Sequence, residues 1–211
     1  MKTSALIAAL AADQAPGVSL RSRYFLALGL GLCVSAAAFA AAVGPRPDIA
    51  HALGTLRFDW KFVDTLSLAI PTVFLAWRLL RPDAKISAIA LLLLAPVALL
   101  GGSVAMELMM VPSDLWASKL MGSNSMHCLK VIPLLSIAPL GALIFAMRSG
   151  APASPRLAGA VAGLAAAAVA ATLYAANCTD DSPLFVAAWY LLATAVVVAA
   201  GVALGDRFLR W

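Results

Sequence analysis

Six apolar runs of membrane-spanning length divide the chain: Tyr24–Val43, Phe62–Leu80, Ile86–Met110, Val131–Met147, Leu157–Ala176 and Leu184–Leu204. About 20 apolar residues, each rising ~1.5 Å, cross a hydrocarbon layer ~30 Å thick. Lipid offers a bare backbone no hydrogen bonds, so runs of this kind are helices. Of the 211 residues, 63% are hydrophobic and 12% charged, and the mean hydropathy is +0.95. A soluble domain carries about 25% charged residues. The sequence therefore predicts an all-α fold, a polytopic membrane helix bundle with six transmembrane helices. The Val131–Met147 run is short and holds Pro133 and Pro139. In the third run, Pro96 with Gly101 and Gly102 predicts a bend. The first run follows a polar lead and exceeds the apolar core of a usual signal peptide, so it is read as a retained helix.

Lys and Arg set the orientation. Lys2, Arg21, Arg23, Arg78, Arg81, Lys85, Arg148, Arg156, Arg207 and Arg210 fall on the side of both termini. Arg46, Arg57, Lys61, Lys119 and Lys130 fall on the other. The positive-inside rule puts both termini in the cytoplasm. The net charge of +5 then reflects membrane topology. No basic stripe interleaved with aromatics exists, which argues against direct nucleic-acid binding.

The chain divides into a cytoplasmic lead, residues 1–23, and a transmembrane part, residues 24–211. In the lead, Thr3–Asp13 reads as a helix with Thr3 or Ser4 at its N-cap. Leu6, Ile7 and Leu10 fall on one face, and Pro16 with Gly17 ends the segment. Such a face is either a membrane-surface terminus or a docking strip for a cytoplasmic partner. The longest outer loop, residues 111–129, predicts a short helix from Asp114 to Met121 between Ser113 and Gly122. Gly159-x-x-x-Gly163 and Gly201-x-x-x-Gly205 each set two glycines on one helix face. This spacing lets the fifth and sixth helices approach closely, or supports a homodimer.

The residues that carry chemistry sit in the outer loops. Cys128 lies in Met126-His127-Cys128, and Cys178 lies in Asn177-Cys178-Thr179-Asp180-Asp181-Ser182-Pro183. The bacterial outer compartment is oxidising. Two thiols there bond to each other, bind metal, or stay buried and separate. A metal would draw on Cys128, Cys178, His127, Met126, Asp180 and Asp181, with Met121 nearby. Cys, His and Met together favour copper or another soft ion such as cadmium as a signal, and no cofactor is obligatory. Five of the seven methionines lie between Met106 and Met126, although core packing is the commoner use of methionine. Asp180 and Asp181 also stand where acidic residues cap a helix start, here that of the sixth helix. Cys33, inside the first run, reads as a buried apolar filler. Transport by proton relay needs ionisable groups at mid-membrane, and Asp64, Glu107 and Lys130 all read as lying near helix ends. There is no CxxC pair, phosphate-binding glycine loop or nucleophile–base constellation, so no enzyme is indicated.

The chain resembles the NrsF-type membrane anti-sigma factors. The resemblance runs through the lead to Asp13, the loop Gly44-Pro45-Arg46-Pro47-Asp48, Cys128, Pro155-Arg156-Leu157-Ala158-Gly159, Cys178–Phe185, Trp189-Tyr190 and Phe208-Leu209-Arg210-Trp211. It covers nearly the whole chain, and the two-cysteine layout is its most specific part. The resemblance implies a multi-pass protein of the bacterial inner membrane. It implies a lead that holds an extracytoplasmic-function sigma factor, and outer cysteines, here Cys128 and Cys178, that sense heavy metal or oxidant stress. The rival reading is a membrane enzyme or carrier for metal or thiol chemistry, against which the missing CxxC and mid-membrane charge count.

Overall fold

A computed structural model describes residues 3–12, 18–84 and 87–210. Lys2, Asp13, Pro16, Gly17, Lys85, Ile86, Trp211 and the side chains of Leu6 and Leu10, all used above, lie outside the described residues. Among the described residues all regular structure is helical. The lead forms α1 (Thr3–Ala12), and the first apolar run forms α2 (Leu20–Ala42). A short α3 (Ile49–Ala52) precedes α4 (Leu56–Arg78). The third run forms α5 (Ser87–Leu91) and α6 (Leu94–Met110). After a 3₁₀ turn at Ser113–Leu115 come α7 (Trp116–Met121), α8 (Ser125–Met147) and α9 (Pro155–Ala175). The last run starts as α10 (Pro183–Phe185), passes through a π-helical turn at Val186–Tyr190, and continues as α11 (Leu191–Phe208).

Five helical segments are long and apolar enough to cross a membrane: Leu20–Ala42, Ile89–Met110, Ser113–Met147, Pro155–Ala175 and Pro183–Phe208. α4 matches α2 in length, 23 residues each, but carries Arg57, Asp59, Lys61 and Asp64 in its first half. It begins at Leu56, ahead of the apolar run at Phe62, so Asp64 lies inside the helix. Lys61, Asp64 and Glu107 are all buried in the bundle, Glu107 close to the end of α6.

Local signals explain the helix ends. The Ser19 hydroxyl accepts from the Ser22 amide and caps α2. Ser154 does the same for α9 through the Leu157 amide, with Pro155 as the first helical residue. Gly44 (φ 68°) turns the chain out of α2 into Pro45. In the third run the break falls at Leu92-Leu93, between α5 and α6, and the helix continues through Gly101 and Gly102. Pro96 has no N–H for the Leu92 carbonyl, so it is accommodated in the first turn of α6 and the bend lies ahead of it.

α8 runs unbroken past Pro133 and Pro139. Pro139 cannot donate to the Leu135 carbonyl, and Ser35 of α2 supplies the missing hydrogen bond at 2.8 Å. Beside it, Gly31 lets α2 ride close to Pro139; a methyl group at Gly31 would sit 2.9 Å from its Cα.

α9 is the central helix and packs on α4, α8 and α11. Its alanines are largely buried. Against α11 the two glycine pairs interlock: a methyl group on Gly159 would collide with the Gly201 carbonyl, and one on Gly163 would lie 2.8 Å from the Val197 carbonyl. Small residues of this kind let helix backbones touch in lipid. The core has two clusters. One joins Tyr24, Leu75, Leu80, Leu143, Met147 and Ala162 towards the end bearing the termini. The other, at the opposite end, contains both Cys128 and Cys178.

Candidate functional site

The loop from α9 to α10, residues 176–182, fastens α2, α4, α6 and α8 at the end of the bundle opposite the termini. α9 stops where the Cys178 amide bonds the Tyr174 carbonyl at 3.0 Å. The Asn177 side-chain amide donates to the Gly44 carbonyl at 2.9 Å, and the Arg46 amide donates to the Ala176 carbonyl at 3.0 Å. These bonds tie the loop to the exit of α2. The Lys61 ammonium donates to the Cys178 carbonyl at 2.8 Å and pairs with Asp181 at 2.5 Å, which ties it to α4. Arg46 pairs with Asp181 at 2.9 Å and with Asp48 at 2.7 Å. Both cations are buried and both lie over the ring of Phe58. Ser182 donates to Glu107 of α6 at 3.1 Å, and Arg57 pairs with that carboxylate at 2.7 Å.

Asp180 reaches the other way. Its carboxylate accepts from the Ser123 amide at 3.0 Å, the Asn124 amide at 2.7 Å and the Asn124 side-chain amide at 2.9 Å. It therefore holds the turn that leads into α8, the helix that carries Cys128, where a negative charge also complements the helix dipole. The expected role for Asp180 and Asp181 at the start of the last helix is corrected. One holds the turn into α8 and the other pairs with Arg46 and Lys61, because the loop folds over the bundle end instead of running straight into Pro183.

Beneath this loop the structure brings the two thiols into one buried cluster. Cys128 stands in the first turn of α8, and both Cys128 and Cys178 are 0% exposed. Neither is in a disulfide. Tyr174, Phe185 and Tyr190 complete the walls, with Tyr174 and Tyr190 ring centres 5.8 Å apart. The hydroxyls of both tyrosines are buried and have no hydrogen-bond partner among the described residues. Burial pushes the Cys178 thiol up from its ordinary range, against the pull of the Lys61 ammonium. The neutral thiol is the inert form; metals and disulfide exchange require the thiolate. Burial and the raised position both favour the neutral thiol of Cys178.

The other expected ligands are spread out. His127 is exposed and packs its ring 5.8 Å from that of Tyr174. Met126 and Met121 are exposed. Asp180 and Asp181 are committed as above. Among the described residues no group of three or more His, Cys, Asp or Glu side chains could hold a metal ion. Ile7 is exposed on α1, with the Leu6 and Leu10 side chains outside the described residues. Cys33 is exposed on α2, which corrects the expectation of a buried filler: Gly31 and Ser35 of that helix face the bundle and Cys33 faces away. Sequence reasoning gave Arg46, Lys61, Tyr174 and Tyr190 no role in the site, although Arg46 and Tyr190 stand in segments that carry the family resemblance. Lys61 carried a further signal, a cation one residue ahead of an apolar run, and Tyr174 carried none.

A family model described as negative regulator of sigma F matches residues 9–211. A probable anti-sigma-F factor of Azospira oryzae is 35% identical over 215 residues, covering 100% of each chain. The anti-sigma-F factor of Caulobacter vibrioides is 32% identical over 218 residues, again covering 100% of each. No solved structure matches the chain. With a family match across almost its whole length and full-length relatives at this identity, the chain belongs to the NrsF family of negative regulators of sigma F.

Proposed function

We propose that this protein is an inner-membrane anti-sigma factor that holds an extracytoplasmic-function sigma factor and releases it when Cys128 and Cys178 meet an oxidant or a soft metal ion. The full-length similarity to anti-sigma-F factors carries the first half of this reading. The convergence of the two thiols under one loop supports the second. α4 makes the sixth crossing, with Lys61 and Asp64 turned into the bundle, and both termini face the cytoplasm. α1, with Leu6, Ile7 and Leu10, is the sigma-binding element.

A two-electron oxidant that takes both thiol hydrogens joins the sulfurs as a disulfide, and a soft metal ion displaces the same two protons. Either product repositions Cys178, whose carbonyl holds Lys61 and whose neighbour Asp181 holds Arg46 and Lys61. The loop is thereby coupled to α4, and α4 runs to the cytoplasmic side. Signalling needs two packings close in free energy, one of which the modified thiols favour.

Co-purification tests the reading. In mild detergent the full chain is expected to retain an extracytoplasmic-function sigma factor. Leu6→Asp with Leu10→Asp is expected to lose that partner while the bundle keeps its helical circular dichroism. Recovery of no sigma factor with the unaltered chain would favour a metal- or thiol-handling carrier instead.

A further inference from the structure

Between α4, α6 and the π-helical turn the bundle leaves space. Two cavities of about 400 and 630 Å³ share Asp64 and Val186 in their walls. Their size is that of a small-molecule site. α6 forms the far wall, and only Pro96 and Glu107 of that helix are buried. Gly101 lines the smaller cavity and Gly102 the larger, and a methyl group on either would meet nothing within 4 Å.

Two polar atoms in these walls lack partners. Asp64 Oδ1 and Trp60 Nε1 are buried, and neither has a hydrogen-bond partner among the described residues. Asp64 is 8% exposed and lines both cavities; Trp60 lines the larger. They stand four residues apart on α4, so their side chains share one face. The other carboxylates at the larger cavity are engaged, Glu107 by Arg57 and Ser182, Asp181 by Arg46 and Lys61. Buried polar groups are nearly always paired, so an unpaired donor beside an unpaired carboxylate points to a ligand.

The indole N–H only donates and a carboxylate accepts. A cation would answer Asp64 and leave Trp60 unpaired. A carbonyl would answer Trp60 alone. One hydroxyl answers both: its oxygen accepts from Trp60 and its hydrogen goes to Asp64. We propose that this chamber binds a neutral, membrane-soluble molecule with an apolar body and a hydroxyl head, held between Trp60 and Asp64. The site is placed to act as an effector site. Tyr190, in the smaller cavity, also walls the thiol cluster, and Lys61 and Asp181, in the larger, hold the loop above it. A π-helical turn in the wall fits this role, since such turns recur at functional sites.

The test uses the full chain in lipid nanodiscs with ¹⁵N-labelled tryptophan. The Trp60 indole resonance is assigned by its loss in Trp60→Phe. Two probes are compared, 4-octylphenol and octylbenzene, which differ by the hydroxyl. The phenol is expected to shift the Trp60 resonance saturably and to bind about tenfold tighter than octylbenzene, the effect of one hydrogen bond to a charged group. Asp64→Leu is expected to erase that preference. Gly102→Leu, which adds a side chain to the wall of the larger cavity, is expected to weaken saturable binding. Equal binding of the two probes, a phenol preference that survives Asp64→Leu, or no saturable shift would each overturn the proposal and leave a chamber that holds only acyl chains or water.

Discussion

The Lys61 ammonium donates to the Cys178 carbonyl across 117 residues of sequence, and the bond is 2.8 Å long. The same nitrogen pairs with Asp181, so one buried cation on α4 fixes both ends of the acidic stretch that covers the thiols. This contact joins the loop after α9 to a helix that spans the bundle.

Lys61→Met is therefore expected to loosen the loop. It removes the cation while leaving Asp181 partly paired by Arg46. Breaking a buried pair costs about 3–5 kcal/mol, less here because Asp181 is partly exposed. A fall in thermal stability is expected, together with faster maleimide labelling of Cys178 in intact membranes. Labelling at the unaltered rate would mean that Lys61 does not hold the site closed.

The high position of the Cys178 thiol gives a pH dependence. A cysteine whose folded-state pKa is raised keeps its proton in the fold after the unfolded chain has lost it. Its contribution is present below the ordinary thiol pKa of about 8.5 and is lost as pH rises above it. Cys178→Ser is therefore expected to flatten the fall in thermal stability between neutral and alkaline pH. An unchanged profile would place Cys178 outside that loss.

Gly201→Ala is expected to destabilise the bundle by about 1–3 kcal/mol, the usual cost of overpacking. The added methyl would collide with the Gly159 carbonyl. Gly29→Ala, where a methyl meets nothing within 4 Å, is the matched control and is expected to be neutral or slightly stabilising. Melting of the two variants in one detergent compares them.

Much of this architecture was legible in the sequence. Apolar length located the helices, since lipid leaves a backbone no other choice. The spacing of Gly159, Gly163, Gly201 and Gly205 foretold that two helices touch. The polar loops marked the cysteines. What stayed hidden was where the loop side chains point. Asp180 and Asp181 read as caps for the helix that follows, and only the folded loop shows one reaching α8 and the other Arg46 and Lys61. Likewise the exposure of Cys33 depends on which side of α2 meets α8, and an alanine-rich helix gives no clear apolar face from which to judge it.

The bias of Lys and Arg predicts that both termini lie in the cytoplasm. Reporters fused after Arg210 are expected to be active only when the reporter works in the cytoplasm. A periplasmic reporter active there would reverse the orientation and put the thiols on the inner face.

The most direct test of the account is a sigma-dependent reporter measured with copper, cadmium or an oxidant in strains carrying Cys128→Ser, Cys178→Ser, both, or Cys33→Ser. The account predicts that either single change abolishes the response nearly as fully as the double change, because coupled residues fail additivity. Cys33→Ser is expected to respond normally. A full response in the Cys178→Ser strain alongside its loss in Cys128→Ser would contradict the paired-thiol mechanism and favour a single site built on His127 and Cys128.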